Sequence, residues 1–352
     1  MLKRGGGGFL SQWATWKGNS YWFSDDERAS VAYRVLAGVA ISTSEPIGDE
    51  VAARDAIGGF ARFCDDHGWI PVFYAIHESF MPSIREMGWR SLVVGEEAVL
   101  RPTEWSTAGK AWQDVRTSIN RAERSGVRAI WTTYDQLTPA WIDQIASIST
   151  DWVRSKPLPE MGFTLGSIEE LGAPDVGIMI ACDSDDRILG ITSWLPSFRD
   201  GQVVGWTLDF MRRTAHGMNG VMEFLIARSA ERFRDEDAEF MSLSTAPLMT
   251  TQSSANGPAN STDRLLAWIA NSIEPVYGFR SLFHFKNKFQ PELHPIHMAY
   301  PDALGLPAIG LALARAYWPF LSVRQGFGFV LRRDRGRSVD ASTRKATAPA
   351  SH

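Results

Sequence analysis

An α/β (α+β) fold built from two similar units is predicted by the order of hydrophobic patterns along these 352 residues. Runs that are typical of strands alternate with runs of helical periodicity, and the order strands, helix, strand occurs in both halves. A basic, helix-like segment lies between the halves. The repeat is inferred only from this order of strands and helices, because residue identity between the halves is weak.

The first unit is predicted to span residues 12–108. Residues 29–42 (ASVAYRVLAGVAIS) are β-like, 50–67 place apolar residues at helical spacing, and 69–76 are β-like again. A short helix and a strand ending near Val94 follow. This order predicts one small α/β unit.

The second unit is predicted to span residues 129–300. Its elements, in order, are a helix at 139–154, a hairpin at 176–196, a strand at 202–211, a helix at 220–234 and a strand at 239–244. Two such units in succession resemble tandem acetyltransferase-like (GNAT, acyl-CoA N-acyltransferase-like) folds.

The connecting segment 109–128 (GKAWQDVRTSINRAERSGVR) is predicted to be a helix. Its apolar stripe ends at Ser125-Gly126, a helix-stop signal. Five basic residues against two acidic ones give the segment a net charge of +3, whereas the chain carries −4. An exposed basic face is either a solvated surface or a phosphate-binding surface. The candidate phosphate ligands are Lys110, Arg116, Asn120, Arg121 and Arg124.

Composition excludes several classes of function. The net charge of −4 and the pI near 6.0 give no global attraction to nucleic acid or anionic lipid, so any such partner needs a local patch. Cys64 and Cys182 have no zinc or disulfide spacing, and no Walker A sequence occurs. His294-x-x-His297 stands in a proline-containing stretch, so we predict no metal site.

The two ends of the chain are predicted to lie outside the units. Residues 1–11, with glycines at 5–8, are predicted to be a linker, and 334–352 to be a disordered tail. Residues 301–333 form an amphipathic segment, apolar over 305–321. That segment is consistent with a helix lying on a membrane surface or with a terminal helix packed on the domain.

Asp209 and Arg212 stand at the end of an apolar strand, just before a turn and a helix. In open α/β sheets ligands bind at the carboxyl ends of strands, so these two residues are candidate catalytic groups, although a structural ion pair is the alternative. Candidate substrate-binding residues come from three other places. They are Glu96, Ser244, Thr245, and Lys286 with Lys288, which would share one face of a strand.

Several stretches in one order resemble the catalytic domain of the aminoacyl-phosphatidylglycerol synthases (the lysyl-phosphatidylglycerol synthetase, or phosphatidylglycerol lysyltransferase, type). The resemblance covers roughly residues 12–300 and rests on the combination of these stretches, because no single one of them would suffice. The stretches are TWKGNSYWFS (15–24), GWRSLVVGEEAVL (88–100), GWTLDFMRR (205–213) with its following helix, FMSLSTAPL (240–248) and YGFRSLFHFKNKFQPELHP (277–295). Ser244-Thr245-Ala246-Pro247 departs from the family's more frequent Gly-Met-Ala-Pro, and 250–262 are unusually polar.

The resemblance implies a tRNA-dependent transfer of an amino acid to phosphatidylglycerol, with no cofactor. Lysine or another small or cationic amino acid is expected; alanine, arginine and ornithine also fit. Asp209 would bind the aminoacyl ammonium and Arg212 a phosphate or the ester oxygen. The implied partners are aminoacyl-tRNA, phosphatidylglycerol in an anionic membrane, and a separate or removed N-terminal membrane (flippase) domain. The implied location is the cytoplasmic face of the cell membrane, as a peripheral protein.

Three other functions remain open at the level of sequence. A peptidoglycan (Fem-type) aminoacyltransferase would use charged tRNA on the same kind of fold. An acetyl-CoA-dependent N-acetyltransferase is disfavoured because neither Arg212 nor Arg213 is followed by glycine three residues later, as its pyrophosphate loop requires. A non-catalytic RNA- or lipid-binding module would use only the basic helix.

Overall fold

The computed structural model describes residues 1–156, 162–164, 166–215, 217–247 and 279–318. Within these ranges the strands form one sheet of twelve. They are β1 Ser20–Phe23, β2 Ala29–Leu36, β3 Val39–Ser42, β4 Ile47–Gly48, β5 Ile70–His77, β6 Arg90–Leu100, β7 Arg128–Thr132, β8 Gly177–Cys182, β9 Ile188–Arg199, β10 Gln202–Arg213, β11 Phe240–Pro247 and β12 Glu292–Tyr300.

The α-helices of the same residues include those that the sequence predicted, in the predicted order, and the α/β class is confirmed. They are α1 Leu2–Gly5, α2 Glu50–Asp66, α3 Met81–Glu86, α4 Gln113–Arg124, α5 Pro139–Arg154, α6 Val221–Asp235, α7 Phe279–Asn287 and α8 Leu306–Tyr317.

The two halves share one continuous sheet. Its strand order is β1-β2-β3-β5-β12-β6-β11-β10-β9-β8-β7, with β4 beside β2. Strands of the first half therefore occupy one end, strands of the second half occupy the other, and the halves meet where β6 pairs with β11. The late strand β12 lies between β5 and β6 of the first half. A strand of the predicted second unit, β12, therefore lies among the strands of the first unit.

Helices cover both faces of the second half. Neighbouring side chains of strand β8 belong to different apolar clusters. Met179 packs in the same cluster as α6, and Ile178 packs in the cluster of α5. Because successive strand residues point to opposite faces, α6 and α5 lie on opposite sides of the sheet. Helix α4 packs beside α6 and shares its cluster.

The basic connecting helix α4 forms as predicted, with a later start. A short 3₁₀ turn at Lys110–Trp112 precedes it, so the α-helix itself begins at Gln113. Val115 and Ile119 of the predicted stripe are buried. Gly126 has φ 68°, which confirms the predicted stop at Ser125-Gly126.

Residues 1–11 differ from the predicted linker, because they pack against the domain. Leu10 is 1% exposed. The Phe9 carbonyl accepts a hydrogen bond from Thr207 Oγ1 at 2.6 Å, and the Lys3 carbonyl accepts one from the Gly201 amide at 2.7 Å. Glycine does not indicate flexibility here. A Cβ on Gly8 would lie 2.0 Å from Glu45 Oε2, so this glycine permits close packing instead.

Helix α8 packs on the first half of the sheet through Leu306, Ile309 and Ala312, in accord with the packed alternative. Its other side exposes Leu311, with Leu304 just before it. No helix among the described residues combines the length and apolarity needed to cross a bilayer. Residues 319–333 of the amphipathic segment and the predicted tail 334–352 lie outside the described residues.

Candidate active site

Two neighbouring parallel strands, β10 and β11, separate at their carboxyl ends. Their pairing runs only as far as Thr207 opposite Ser242. Beyond that point each strand changes register with its outer neighbour, β10 against β9 and β11 against β6. Asp209 follows on β10, and Ser244 and Thr245 follow on β11. Asp209 and Arg212 thus lie in the C-terminal part of β10, close to the strand end where the sequence predicted them.

Asp209 is a carboxylate held in a shielded position. The Gly166 amide donates to its Oδ1 at 3.1 Å. Its Oδ2 is inaccessible to solvent and has no hydrogen-bond partner among the described residues. Burial and the nearby Glu170 raise the pKa of Asp209 to about 7, against the lowering effects of the Gly166 amide and Arg212. A cation placed at Oδ2 would complete this site.

We expect Gly166→Ala to damage the site through steric overlap alone. A Cβ at this position would lie 1.8 Å from Asp209 Oδ2, so the segment carrying Gly166 or the carboxylate must move. Such overpacking costs roughly 1–3 kcal/mol, and a displaced carboxylate loses its alignment. Thermal unfolding and steady-state kinetics should both show a loss. Gly162→Ala is the matched control, since no atom of the described residues lies within 4 Å of its Cβ position. Equal behaviour of the two variants would contradict this account.

Arg212 is fixed by stacking. Its guanidinium carbon lies 3.5 Å from the centre of the Trp152 ring and 4.6 Å from that of Phe210. Its Nη1 donates to the Met211 carbonyl at 3.0 Å, and the residue is only 9% exposed. Stacking on aromatic faces restricts the side chain and retains its charge. Arg212 therefore offers a pre-oriented cation close to Asp209.

Lys286 lies on helix α7, which corrects the predicted strand. Phe283 and Lys286 are both buried three positions apart on this helix, so they share one side, whereas the alternation in FHFKNKF suggests a period of two. Burial lowers the pKa of Lys286 to about 7, opposed by Glu97.

The backbone of β11 faces this lysine. Lys286 Nζ donates to the carbonyls of Ser244 at 2.9 Å and Thr245 at 3.2 Å. Ser244 has φ 66°, in the left-handed region that a serine seldom adopts. Thr245 Oγ1 is shielded and has no partner among the residues that the structure describes. Lys286, Ser244 and Thr245 are thus brought together, as three members of the predicted set.

Lys288 does not share a face with Lys286. It follows the end of α7, and its Nζ lies 2.7 Å from Glu223 Oε1 on α6. The expected shared face would have required a strand. The charge of Lys288 is instead compensated by a carboxylate.

Glu96 is half-buried on β6, and its neighbour Glu97 is completely buried. The sequence pattern favoured Glu96, but adjacent strand residues point to opposite faces, and it is Glu97 that lies in a hydrogen-bonded network. Glu97 Oε2 lies 2.7 Å from His77 Nε2, and Glu45 Oε1 lies 2.6 Å from His77 Nδ1. The position of His77 at the end of a β-like run was the available signal for this network.

The basic surface of α4 is partly engaged by the protein itself. Arg116 is half-buried and donates to the carbonyls of Thr107 and Gly109. Arg121 donates to the Asn219 carbonyl at 3.0 Å. The remaining predicted phosphate ligands are exposed; they are Lys110, Asn120 and Arg124.

The two histidines of the H-x-x-H sequence lie on β12, three residues apart and therefore on opposite faces. His294 lies 3.3 Å from Glu292, and His297 is buried 3.5 Å from Glu78. Among the described residues no three His, Cys, Asp or Glu side chains are grouped as metal ligands would be.

Comparison with known proteins gives consistent results. The family model described as "Phosphatidylglycerol lysyltransferase, C-terminal" matches residues 1–300. The chain is 42% identical over 320 residues to an uncharacterized protein of Corynebacterium glutamicum, a match that covers 90% of this chain and 40% of that protein.

Two further proteins are similar. The lysylphosphatidylglycerol biosynthesis bifunctional protein LysX of Mycobacterium ulcerans is 26% identical over 304 residues, covering 86% of this chain and 27% of LysX. The structure of L-PGS from Bacillus licheniformis superposes with a TM-score of 0.76 at 22% identity, covering 88% of this chain and 92% of that one. The chain thus spans less than half the length of these curated relatives and nearly the whole of the solved structure.

Proposed function

This chain belongs to the family of phosphatidylglycerol lysyltransferase C-terminal domains, and from that membership we propose that it transfers an amino acid from aminoacyl-tRNA to a head-group hydroxyl of phosphatidylglycerol. The amino acid is lysine or another small or cationic one. The observation that carries the proposal is the shielded Oδ2 of Asp209, which lacks a partner among the described residues at the point where β10 and β11 separate.

The reaction exchanges one ester for another. The lipid hydroxyl oxygen attacks the ester carbonyl carbon and forms a C–O bond, after which the bond from that carbon to the ribose oxygen breaks. The lipid hydroxyl loses a proton and the ribose oxygen gains one, so atoms and charge balance. Because an activated ester supplies the energy, the exchange needs no nucleotide hydrolysis.

The residues of the candidate site match the groups on these substrates. Asp209 binds the α-ammonium of the aminoacyl group, which supplies the cation that its Oδ2 lacks. Arg212 binds a phosphate or the ester oxygen on which negative charge develops. Lys286 supplies a second cation to oxygen atoms of the substrates, and the Thr245 hydroxyl a hydrogen bond. Ser244 and Glu96 contact the substrates around these groups, whereas Lys288 stays paired with Glu223.

The exposed part of α4 binds the tRNA backbone. Phosphate binding needs only accessible cations, and Lys110 and Arg124 are exposed on this helix and the turn before it. Arg116 and Arg121 support the surface by fixing the neighbouring loops. Lipid is reached at the cytoplasmic face of the membrane, where a partner membrane domain holds the protein. Such a partner agrees with the greater length of the relatives.

We expect Lys110→Gln with Arg124→Gln to weaken tRNA binding without altering chemistry. The KM for aminoacyl-tRNA should rise several-fold at constant kcat. The slope of log affinity against log salt should become less steep by roughly one unit for each phosphate that is no longer neutralised. Filter binding across a salt series measures both affinity and slope. Arg62→Gln, an exposed charge on α2, is the control. Unchanged binding by the double variant would exclude α4 as the tRNA surface.

The transfer assay tests the proposed function directly. The protein is mixed with a panel of tRNAs carrying labelled amino acids and with vesicles containing phosphatidylglycerol, and lipid-soluble label is counted. Vesicles of phosphatidylcholine are the control, because their head group has no hydroxyl. Absence of labelled lipid with every amino acid would refute the proposal. Label transferred to peptidoglycan precursors, or acetyl transfer from acetyl-CoA, would support the respective alternative enzyme.

A further inference from the structure

Three buried polar side chains and a half-buried histidine connect strands of the first half of the sheet with β11 of the second half. Glu45 lies between β3 and β4, His77 ends β5, and Glu97 lies on β6. The imidazole bridges the two carboxylates through Nδ1 at 2.6 Å and Nε2 at 2.7 Å. Ser242 on β11 donates to the other oxygen of Glu97. The proposed transfer reaction assigns no step to these four residues.

The geometry favours a charged imidazole. Both ring nitrogens face carboxylate oxygens, and only the imidazolium carries a hydrogen on each nitrogen. Burial alone would lower the pKa of His77, but Glu45 and Glu97 raise it to about 10. One cation thus lies between two anions, and the Phe9 ring contacts it in an edge-to-face arrangement with ring centres 5.2 Å apart. The His297 imidazole and Glu78, 3.5 Å apart, are the adjoining titratable groups from β12 and the turn after β5.

The network reaches the candidate active site through the backbone of β11. Ser242 Oγ accepts a hydrogen bond from the Ser244 amide at 2.9 Å while it donates to Glu97. This bond lies within the register shift of β11, next to the left-handed φ of Ser244. The shift directs the carbonyls of Ser244 and Thr245 to Lys286. Glu97 therefore fixes the bend that receives the lysine.

The network also balances charge. The imidazolium and two carboxylates leave one net negative charge, and Lys286 is a buried cation that interacts electrostatically with Glu97. Burial disfavours the ammonium of Lys286, whereas Glu97 favours it. Buried charges persist only when they are paired, so the state of Lys286 depends on the state of Glu97.

We propose that His77 is a positioning residue, which holds the Glu97 carboxylate in place so that Glu97 both fixes the bend of β11 and keeps Lys286 charged. This inference rests on the proposed transfer reaction for its effect on rate. Its effect on Lys286 is independent of that reaction.

The first experiment measures the protonation of Lys286 in Glu97→Gln. Glutamine has the same shape and still accepts from Ser242, but it carries no charge. We expect the pKa of Lys286 to fall below its value in the unaltered protein, because the ammonium loses its stabilising anion. Labelling with an acylating reagent across pH, read by mass spectrometry, gives this pKa without any catalytic activity. An unchanged labelling profile would overturn the proposal.

The second experiment measures transfer by His77→Gln, whose side chain carries no charge and has one donor nitrogen where the imidazolium has two. We expect kcat to fall about 10- to 100-fold with little change in KM, as for misaligned catalytic groups. The double variant with Glu97→Gln should lose little more than the worse single variant, because the residues act as a unit. His67→Gln, on the exposed end of α2, is the control. Independent, multiplying losses would contradict a shared role.

The two experiments separate the two levels of inference. If the unaltered protein shows no transfer, the proposed function fails, and the labelling of Lys286 still decides the role of Glu97. If His77→Gln does not fold, as thermal unfolding would show, the isosteric Glu97→Gln variant still tests whether Glu97 keeps Lys286 charged.

Discussion

Asp209→Asn is expected to reduce kcat/KM for transfer by about 10²- to 10³-fold, the range seen when one pre-oriented electrostatic interaction with the reacting groups is removed. Asparagine keeps the shape of the side chain and can still accept from the Gly166 amide. Only the charge that binds the substrate ammonium is removed. The transfer assay with labelled aminoacyl-tRNA and phosphatidylglycerol vesicles measures this effect. Asp200→Asn, in the exposed turn before β10, should retain full activity.

Stability should respond in the opposite direction to activity. The pKa of Asp209 is raised from 3.8 to about 7 in the folded chain. Between these values the folded chain keeps a proton that the unfolded chain has lost, so this residue makes stability fall as pH rises from about 4 to 7. Asp209→Asn should remove that part of the pH dependence in denaturant unfolding. A variant that lost both stability and activity at pH 7 would indicate a structural role for Asp209.

Lys286→Met is expected to lower kcat by about two orders of magnitude, because a cation directed at developing negative charge is removed. Methionine has similar length and suits the buried position. In the unaltered protein the ammonium is present below its pKa of about 7, so the contribution of Lys286 should decline as pH rises through 7. The residual rate of the variant should lack this decline. Kinetics of transfer from about pH 5.5 to 8.5 measure both effects, since the window spans that pKa on either side.

Lys288→Met provides the comparison within the same segment. Its ammonium is already compensated by Glu223 at 2.7 Å, so the loss of rate should be much smaller than for Lys286→Met. Equal losses would mean that the helix α7, rather than the buried ammonium of Lys286, is what the reaction requires. Circular dichroism of both variants checks that they are folded.

Local periodicity in the sequence was sufficient to predict most elements around the candidate site. The strand that carries Asp209 and Arg212, the helix after it and the basic helix α4 occur where the patterns placed them. Each of these patterns depends on neighbours within a few residues, and such interactions can be read directly from the sequence. The alternation in FHFKNKF shows the limit, because Phe and Lys at mixed spacings fit both a strand and the observed helix α7.

By itself the sequence determined the order of elements, the acid and arginine at a strand end and the basic connecting helix. Only the tertiary structure decided that β12 lies between β5 and β6, that residues 1–11 pack on the domain, and that Glu97 rather than Glu96 joins His77. The bonds of that network join residues 32 positions apart, Glu45 and His77, and 145 positions apart, Glu97 and Ser242. Interactions at such separations depend on which strands pair, and pairing is set by burial of the whole sheet rather than by any local pattern.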